Sequence, residues 1–302
     1  MRESGFGFRM MIAASLLGVL SWSVEADCAD KVKVVSVNYP LHYFAERIAT
    51  DSFTIDYLVA PDLDPAFWEP DDASLIAFQE ADIVIRNGAD YAKWMKRVTL
   101  PTTTMVDTSR SFSERLVKTD GKDHSHGSGA VHSHAGIAFT TWIDFSQAAI
   151  QAEAIAKRMT RYAPGDADQI ESNLADLKSD LGELDQQMKS LGEKLKEDAF
   201  VVSHPIYQYW ARAYGIKIDS LEWEPEMELG TKEIADLKAI ISKVSPKWMI
   251  WEGAPTAENV EALAALGIQS LVFSPAANRP KTADWLNVMK QNIKNLEAVL
   301  KS

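Results

Sequence analysis

Cysteine is almost absent from this sequence of 302 residues, in which Cys28 is the only one. A single cysteine excludes an internal disulfide framework and any zinc site built from several thiolates. A metal site in this chain must therefore use imidazole, carboxylate or backbone oxygen ligands.

The sequence also lacks an excess of positive charge. Its 43 acidic residues outnumber its 31 basic residues, which gives a formal net charge of −12. Such an acidic surface disfavours nucleic acid as a partner. No glycine-rich loop has the pattern that cradles phosphate. Ser203 is next to His204, but neighbours in an extended strand face opposite sides, so no nucleophile has a plausible partner. We therefore expect that the protein is not an enzyme.

The N-terminus has the features of an export signal. A hydrophobic run over residues 10–20 follows Arg2 and Arg9, and it is too short to span a bilayer comfortably. This pattern predicts that residues 1–26 are a signal peptide and that the mature protein is periplasmic or otherwise extracytoplasmic. Lipid anchoring through Cys28 is the alternative, but the residues before it lack the small apolar pattern that a lipidated cysteine needs.

Short β-branched segments alternate with helical segments in both halves of the sequence, which is typical of parallel sheets. The pattern predicts an α/β fold with two lobes, each a parallel four-stranded sheet flanked by helices, joined by one long α-helix. The predicted strands cover residues 32–37, 56–60, 83–86, 103–106, 200–203, 217–221, 248–251 and 270–273. The predicted helices cover residues 42–49, 72–80, 91–97, 206–214, 231–242, 257–266 and 282–300. The predicted lobes are residues 27–165 and 197–302.

The linking helix is predicted over residues 166–196. Its leucine-rich apolar positions recur every three or four residues from Ile170 to Leu195, so they form one stripe along a helix. Asp166 and Gln169 have the spacing of a capping box at the start of this helix. A coiled-coil dimer would also use such a stripe. Because a strand is predicted directly after the helix, we expect the stripe to pack on both lobes of a monomer.

Histidines are concentrated in one short segment. Four of the six are His124, His126, His132 and His134. Neutral imidazole is a common ligand of zinc and related ions, and the glycine-containing spacer would let the two pairs fold together. The segment therefore predicts metal binding, with a solvated polar loop or a tag as the alternatives. Its internal position and irregular spacing argue against a tag.

Two further candidates follow predicted strands of the second half. His204 comes after residues 200–203, and Glu252 comes after residues 248–251. Ligands of open α/β sheets usually bind at the carboxyl ends of the strands, so these two side chains could meet in a cleft. His42 could be either a ligand or a core residue. The weaker candidates, expected as wall and rim, are Trp68, Glu69, Glu222 and Glu224.

These residues together resemble the substrate-binding proteins of zinc and manganese ABC importers, from about residue 31 to the end. The long helix and several motifs have matching order and spacing. The motifs are Asp64-Pro65-Ala66-Phe67-Trp68-Glu69-Pro70, Ala81-Asp82-Ile83-Val84, Trp142-Ile143-Asp144, Ser203-His204-Pro205 with Tyr209 and Tyr214-Gly215, and Phe273-Ser274-Pro275. The histidine-rich segment falls where zinc-type members carry a mobile histidine loop.

The resemblance implies a metal ion held between two lobes and delivered to a membrane permease with its ATPase. The usual ligand positions of the family fall on Ala66, Thr140, His204 and Ser274, so only one of the four is an imidazole or carboxylate. We therefore expect the histidine-rich loop, residues 120–136, to fold into the cleft and to join His204 and Glu252 around zinc. Manganese or another divalent transition metal is the alternative ion.

Two other functions also fit the missing ligands. The cleft could bind a metal chelate or a small organic ligand between tryptophan walls, namely Trp68, Trp142, Trp223 and Trp251. Alternatively, the protein could be a periplasmic metal buffer or chaperone that never docks on a transporter.

Overall fold

Two parallel four-stranded sheets form the framework of the fold. The computed structural model describes Met1 and residues 30–61, 63–125 and 131–301, with the backbone alone for 120–125 and 131–135. The predicted signal peptide and Cys28 therefore lie outside the described residues, apart from Met1.

The first sheet has the order β2-β1-β3-β4. Its strands are β1 Val32–Ser36, β2 Phe53–Asp56, β3 Ile83–Arg86 and β4 Met105–Asp107. The helices of this half are α1 Tyr39–Ile48, α2 Asp72–Glu80 and α3 Phe145–Tyr162. An antiparallel hairpin, β5 Lys118–Ser125 and β6 Val131–Ile137, lies between β4 and α3 in the chain. Apart from the half-buried Val32, the valine and isoleucine side chains of β1 and β3 are buried, as expected for a sheet that is covered on both faces.

The second sheet has the order β10-β9-β7-β8. It follows the long helix α4 Ala167–Leu195 and is formed by β7 Ala199–Val202, β8 Lys217–Ser220, β9 Trp248–Trp251 and β10 Gln269–Val272. The flanking helices are α5 Gln208–Tyr214, α6 Thr231–Val244, α7 Ala257–Ala264 and α8 Trp285–Glu297. The predicted α/β fold class, with two sheets and one long helix, is confirmed.

Helix α4 packs on both halves of the molecule. It contacts α1 and α3 on one side and α5 and α8 on the other. Its apolar stripe is buried, with the exception of the half-buried Leu174. Gly192 allows α4 to lie close to the end of α5, because a Cβ atom at this position would lie 2.1 Å from the carbonyl oxygen of Tyr214. Both sheets share one large hydrophobic core, and residues 31–302 form one compact unit. The predicted lobe boundaries stay a prediction.

The predicted capping box is wrong. Asp166 precedes α4 but makes no capping hydrogen bond with its side chain. Its carboxylate instead accepts a hydrogen bond from the hydroxyl of Thr50, in the loop between α1 and β2. The side chain that the local spacing assigned to the helix end therefore makes a tertiary hydrogen bond and does not cap the helix.

Three predicted elements differ from the structure. Strand β2 ends at Asp56, where the prediction had it begin, because the following residues leave the sheet and contact the loop after β10. The helix predicted over residues 91–97 is a short 3₁₀ turn, Lys93–Lys96, preceded by left-handed backbone. The segment expected to be a histidine-rich loop contains the hairpin β5–β6. Within the described residues, no helix is both long enough and apolar enough to cross a bilayer.

Candidate metal centre

Three potential metal ligands converge at the carboxyl end of the second sheet. His204 follows β7, Glu224 follows β8 and Glu252 follows β9, and these three strands are neighbours in the sheet. Each residue offers one ligand atom, and these atoms all lie within 4.8 Å of one another. This is the place where open α/β sheets bind their ligands.

Hydrogen bonds fix the loop that carries Glu224. The backbone N–H of Trp223 donates to the carbonyl of Ser203 at 2.7 Å, which ties the segment after β8 to the end of β7. On the other side of Glu224, the side-chain amide of Asn259 donates to the carbonyl of Pro225 at 3.0 Å. The loop therefore brings its carboxylate to the end of β7 with both flanks held.

The spacing within the cluster suits an ion of zinc size. Nδ1 of His204 lies 3.4 Å from Oε1 of Glu224. Two ligands at about 2.1 Å from a tetrahedral zinc ion are themselves about 3.4 Å apart. The His204 side chain is 4% exposed and that of Glu224 is 32% exposed, so the cluster is open to solvent on the side of the carboxylate.

The electrostatics of the cluster favour a cation. Burial raises the pKa of Glu252 well above its ordinary value, and the nearby charges of Glu224 and Asp64 raise it further. A divalent ion between these carboxylates would relieve both effects, since it compensates the buried charge and the mutual repulsion. Metal and protons therefore compete for Glu252.

The cluster lies in a cavity of about 470 Å³ whose lining comes from both halves of the fold. From the first half of the fold, the lining includes Asp64, Phe67 and Trp68. Asp64 begins a tight turn in which its Oδ1 accepts a hydrogen bond from the N–H of Ala66 at 2.8 Å. This turn presents one carboxylate and two aromatic rings to the cavity.

The three other positions implied by the family resemblance supply no imidazole or carboxylate. Ala66 is buried. The Thr140 hydroxyl donates to the carbonyl of Ile206. The Ser274 hydroxyl accepts from the N–H of Ala276 at 3.2 Å. Sequence reasoning had placed Glu224 at the rim, yet its position after β8 parallels that of His204 after β7. Applying the rule for strand ends to β8 would have identified it.

The histidine-rich segment is only partly within the described residues. In the hairpin, His124 pairs with His132 across the ladder, and His134 follows on β6. His126 and the side chains of the other three lie outside the described residues. The role of these histidines as ligands stays a prediction. The base of the hairpin is held by Tyr209, whose hydroxyl donates to the carbonyl of Ala138 at 2.7 Å.

The predicted tryptophan walls are mostly core. Trp68 lines the cavity, but Trp142, Trp223 and Trp251 do not. Trp142 is fully buried, and its indole N–H donates to the carbonyl of Pro275 at 2.8 Å. Trp223 and Trp251 pack together in a second hydrophobic core on the other face of the second sheet. These three large side chains therefore contribute to packing within and between the lobes.

Residues 275–279, after β10, connect the two halves beside the cavity, and we call this segment the interlobe latch. The amide of Asn278 donates to the carbonyls of Ala60 at 2.7 Å and Leu63 at 2.6 Å. Its Oδ1 accepts from the hydroxyl of Tyr57 at 2.8 Å. The latch therefore holds the chain segment that leads directly to Asp64.

The interlobe latch also determines the environment of His42, which it contacts through Arg279. Its imidazole is buried, and Nε2 lies 3.0 Å from the guanidinium of Arg279 and 3.2 Å from Glu46. Burial, and then the charge of Arg279, lower the pKa of His42 to about 4 from its ordinary value of 6.5. His42 is thus a neutral residue of the interface between the halves, and it does not line the cavity.

Two α/β lobes on one long helix, with a cluster of potential metal ligands in the cavity between them, define a solute-binding protein for a metal ion. The family described as "Zinc-uptake complex component A periplasmic" matches residues 34–299. The chain belongs to this family. Its members are binding components of transport systems, in agreement with the expectation that the chain is not an enzyme.

Curated relatives agree with this assignment. The high-affinity zinc uptake system protein ZnuA of Bacillus subtilis is 23% identical over 279 residues, which cover 89% of this chain and 87% of the relative. The zinc-binding protein AdcA of Streptococcus pyogenes is 24% identical over 313 residues, covering 95% of this chain but only 61% of AdcA.

Solved structures have the same fold. The metal-dependent lipoprotein YcdH of Bacillus subtilis superimposes with a TM-score of 0.76 at 22% identity, over 90% of this chain and 99% of YcdH. Zn(II)-bound AdcA of Streptococcus pneumoniae gives a TM-score of 0.75 at 18% identity, over 90% of this chain and 58% of AdcA.

Proposed function

We propose that this protein is the extracytoplasmic binding component of a metal ABC importer, which captures a zinc ion between its lobes and passes it to a membrane permease with its ATPase. The observation that carries the proposal is the convergence of His204, Glu224 and Glu252 within 4.8 Å in the cavity between the lobes. One imidazole and two carboxylates are ligands that zinc accepts. The names of ZnuA and AdcA, which refer to zinc, support the choice of ion.

The fourth coordination position faces the other lobe. Asp64 lines that side of the cavity and already interacts electrostatically with Glu252. The loop histidines His132 and His134 are the other proposed source of a ligand, together with His124 and His126. In either case the ligands must be deprotonated, so zinc affinity decreases as the pH falls through the imidazole range.

The experiment is a zinc titration of the purified protein and of single variants, with a competing chelator to reach high affinities. His204→Ala and Glu224→Gln should each weaken zinc binding by roughly 10- to 100-fold or more, because a direct ligand is at least as important as the outer-shell partners that cost this much. Glu228→Gln removes an exposed carboxylate of the same loop and should have no effect. If His204→Ala binds zinc as tightly as the wild type, the proposed site is wrong.

A double variant tests the loop separately. Replacing His132 and His134 by alanine should weaken zinc binding further if the loop completes the site. Unchanged affinity would assign the fourth position to Asp64 or water instead. Zinc that remains bound to His204→Ala but is lost from the double variant would favour a loop-based metal buffer over the transport component.

A further inference from the structure

We propose that the cavity binds its metal ion together with a small amine-bearing chelator of amino-acid size. This inference rests on the proposed function, because His204, Glu224 and Glu252 would still hold the ion itself. The chelator would occupy the part of the cavity that faces the first lobe.

The first argument is size. The cavity has a volume of about 470 Å³. A water molecule has a share of liquid volume of about 30 Å³, so an ion with three or four waters would fill roughly a quarter of this space. The remaining volume is large enough for a molecule the size of an amino acid, and an apolar cavity of this size is typical of organic ligands.

The second argument concerns the ligands that the described residues supply. The cluster provides three ligand atoms. Structural zinc sites have four ligands and close the shell with protein, whereas open sites leave a position for a small molecule. Across the cavity, Thr140 lines the wall but uses its hydroxyl to bond Ile206. A chelator held by the ion would supply the missing donors from this side.

The third argument is the wall itself. Four aromatic residues of the first half line the cavity, namely Phe67, Trp68, Tyr91 and Phe139. The rings of Tyr91 and Phe139 meet edge to face with centroids 5.2 Å apart, and those of Phe67 and Phe139 do so at 6.3 Å. Such interlocked rings form a rigid apolar surface, which suits the carbon skeleton or ring of an organic molecule better than the water shell of an ion.

The fourth argument selects the chemistry of the chelator. The described residues that line the cavity include the carboxylates of Asp64, Glu224 and Glu252 but no lysine or arginine. Chelators with several carboxylates, such as citrate, would meet like charge there. A neutral amine or imidazole nitrogen would instead give the ion a further donor without adding negative charge beside these carboxylates.

The test measures retention of a labelled chelator. The purified full chain is dialysed to equilibrium against radiolabelled L-histidine with and without one equivalent of Zn²⁺, and in parallel against labelled citrate with Zn²⁺. We expect L-histidine to be retained at one equivalent only when zinc is present, and citrate not to be retained. Retention of zinc without L-histidine when both are supplied, or retention of citrate in place of L-histidine, would overturn the inference.

Two variants locate the chelator. Trp68→Ala should weaken L-histidine retention by roughly 10-fold, the effect of losing one aromatic contact, while zinc alone still binds. Tyr162→Ala removes an exposed aromatic side chain at the end of α3 and serves as the matched control. Equal retention by both variants would contradict the proposed position.

The second variant, Thr140→His, adds an imidazole to the cavity wall and does not depend on removing a packed side chain. It should increase the affinity for zinc alone and displace L-histidine. If retention of L-histidine is unchanged, the inference fails. If the wild type binds no zinc under any condition, the proposed function itself fails, and the two results are thus distinguishable.

Discussion

Substitution of Asn278 tests whether the interlobe latch stabilises the molecule. Asn278→Ala removes two hydrogen bonds to the carbonyls of Ala60 and Leu63 and a third from the hydroxyl of Tyr57. A typical hydrogen bond contributes about 0.5–1.5 kcal/mol net, and water can replace the two at exposed carbonyls in part. We therefore expect a loss of about 2 kcal/mol in the free energy of unfolding.

This loss should be visible by thermal unfolding. For a protein of this size, 1 kcal/mol corresponds to a Tm change of about 2–4 °C, so Asn278→Ala should unfold about 4–8 °C below the wild type. The control is Asn287→Ala, which removes an exposed asparagine side chain on α8. Zinc affinity should also decrease, because the latch holds the segment that leads to Asp64. A Tm equal to that of the control would refute the stabilising role of the latch.

Three other predictions follow from the structure. Protonation of His42 is disfavoured in the folded protein, since its pKa is about 4 against 6.5 ordinarily, so stability should be lost as the pH falls from 6.5 towards 4. At pH 5 this cost is roughly 2 kcal/mol, and His42→Gln should reduce the fall in Tm between pH 7 and pH 5; an equal fall in both proteins would contradict the assignment. Gly192→Ala should lower the free energy of unfolding, measured in urea, by about 1–3 kcal/mol, because its Cβ would lie 2.1 Å from the carbonyl oxygen of Tyr214. An unchanged free energy of unfolding would mean that α4 can move away freely. Zinc at about 100 times its Kd should stabilise the wild type by about 2.7 kcal/mol, and the same zinc concentration should stabilise His204→Ala far less; equal shifts would place the ion elsewhere.

The sequence predicts the framework of this fold well because its signals are local and periodic. The alternation of strands and helices and the apolar stripe from Ile170 to Leu195 are properties of short windows, and both appear in the structure. Errors occur where a distant contact determines the local structure. Asp166 bonds to Thr50 and not to its own helix, and β2 ends early because Tyr57 bonds to Asn278.

The candidate site could be predicted only in part for the same reason. His204 and Glu252 were identified as side chains that follow strands, and the structure places them together. Glu224 was named only as a weaker candidate for the rim, because the rule for strand ends was not applied to β8; it lies four residues beyond that strand, and the hydrogen bonds of the loop bring it back to the sheet. Trp142 was a predicted wall only in the alternative in which the cleft binds a metal chelate or a small organic ligand. Its indole N–H donates to the carbonyl of Pro275, more than a hundred residues away, and no local sequence pattern can reveal such a contact.

The shared hydrophobic core has a consequence for how cargo leaves the protein. Because α4 and the core cross both halves, separating the lobes would expose a large apolar interface. Wide hinge opening is therefore costly. Under the proposed function, the ion would leave while the two halves remain packed together, and release would be a ligand-exchange reaction at the cavity mouth in which donors of the acceptor replace Glu224 and its neighbours one at a time.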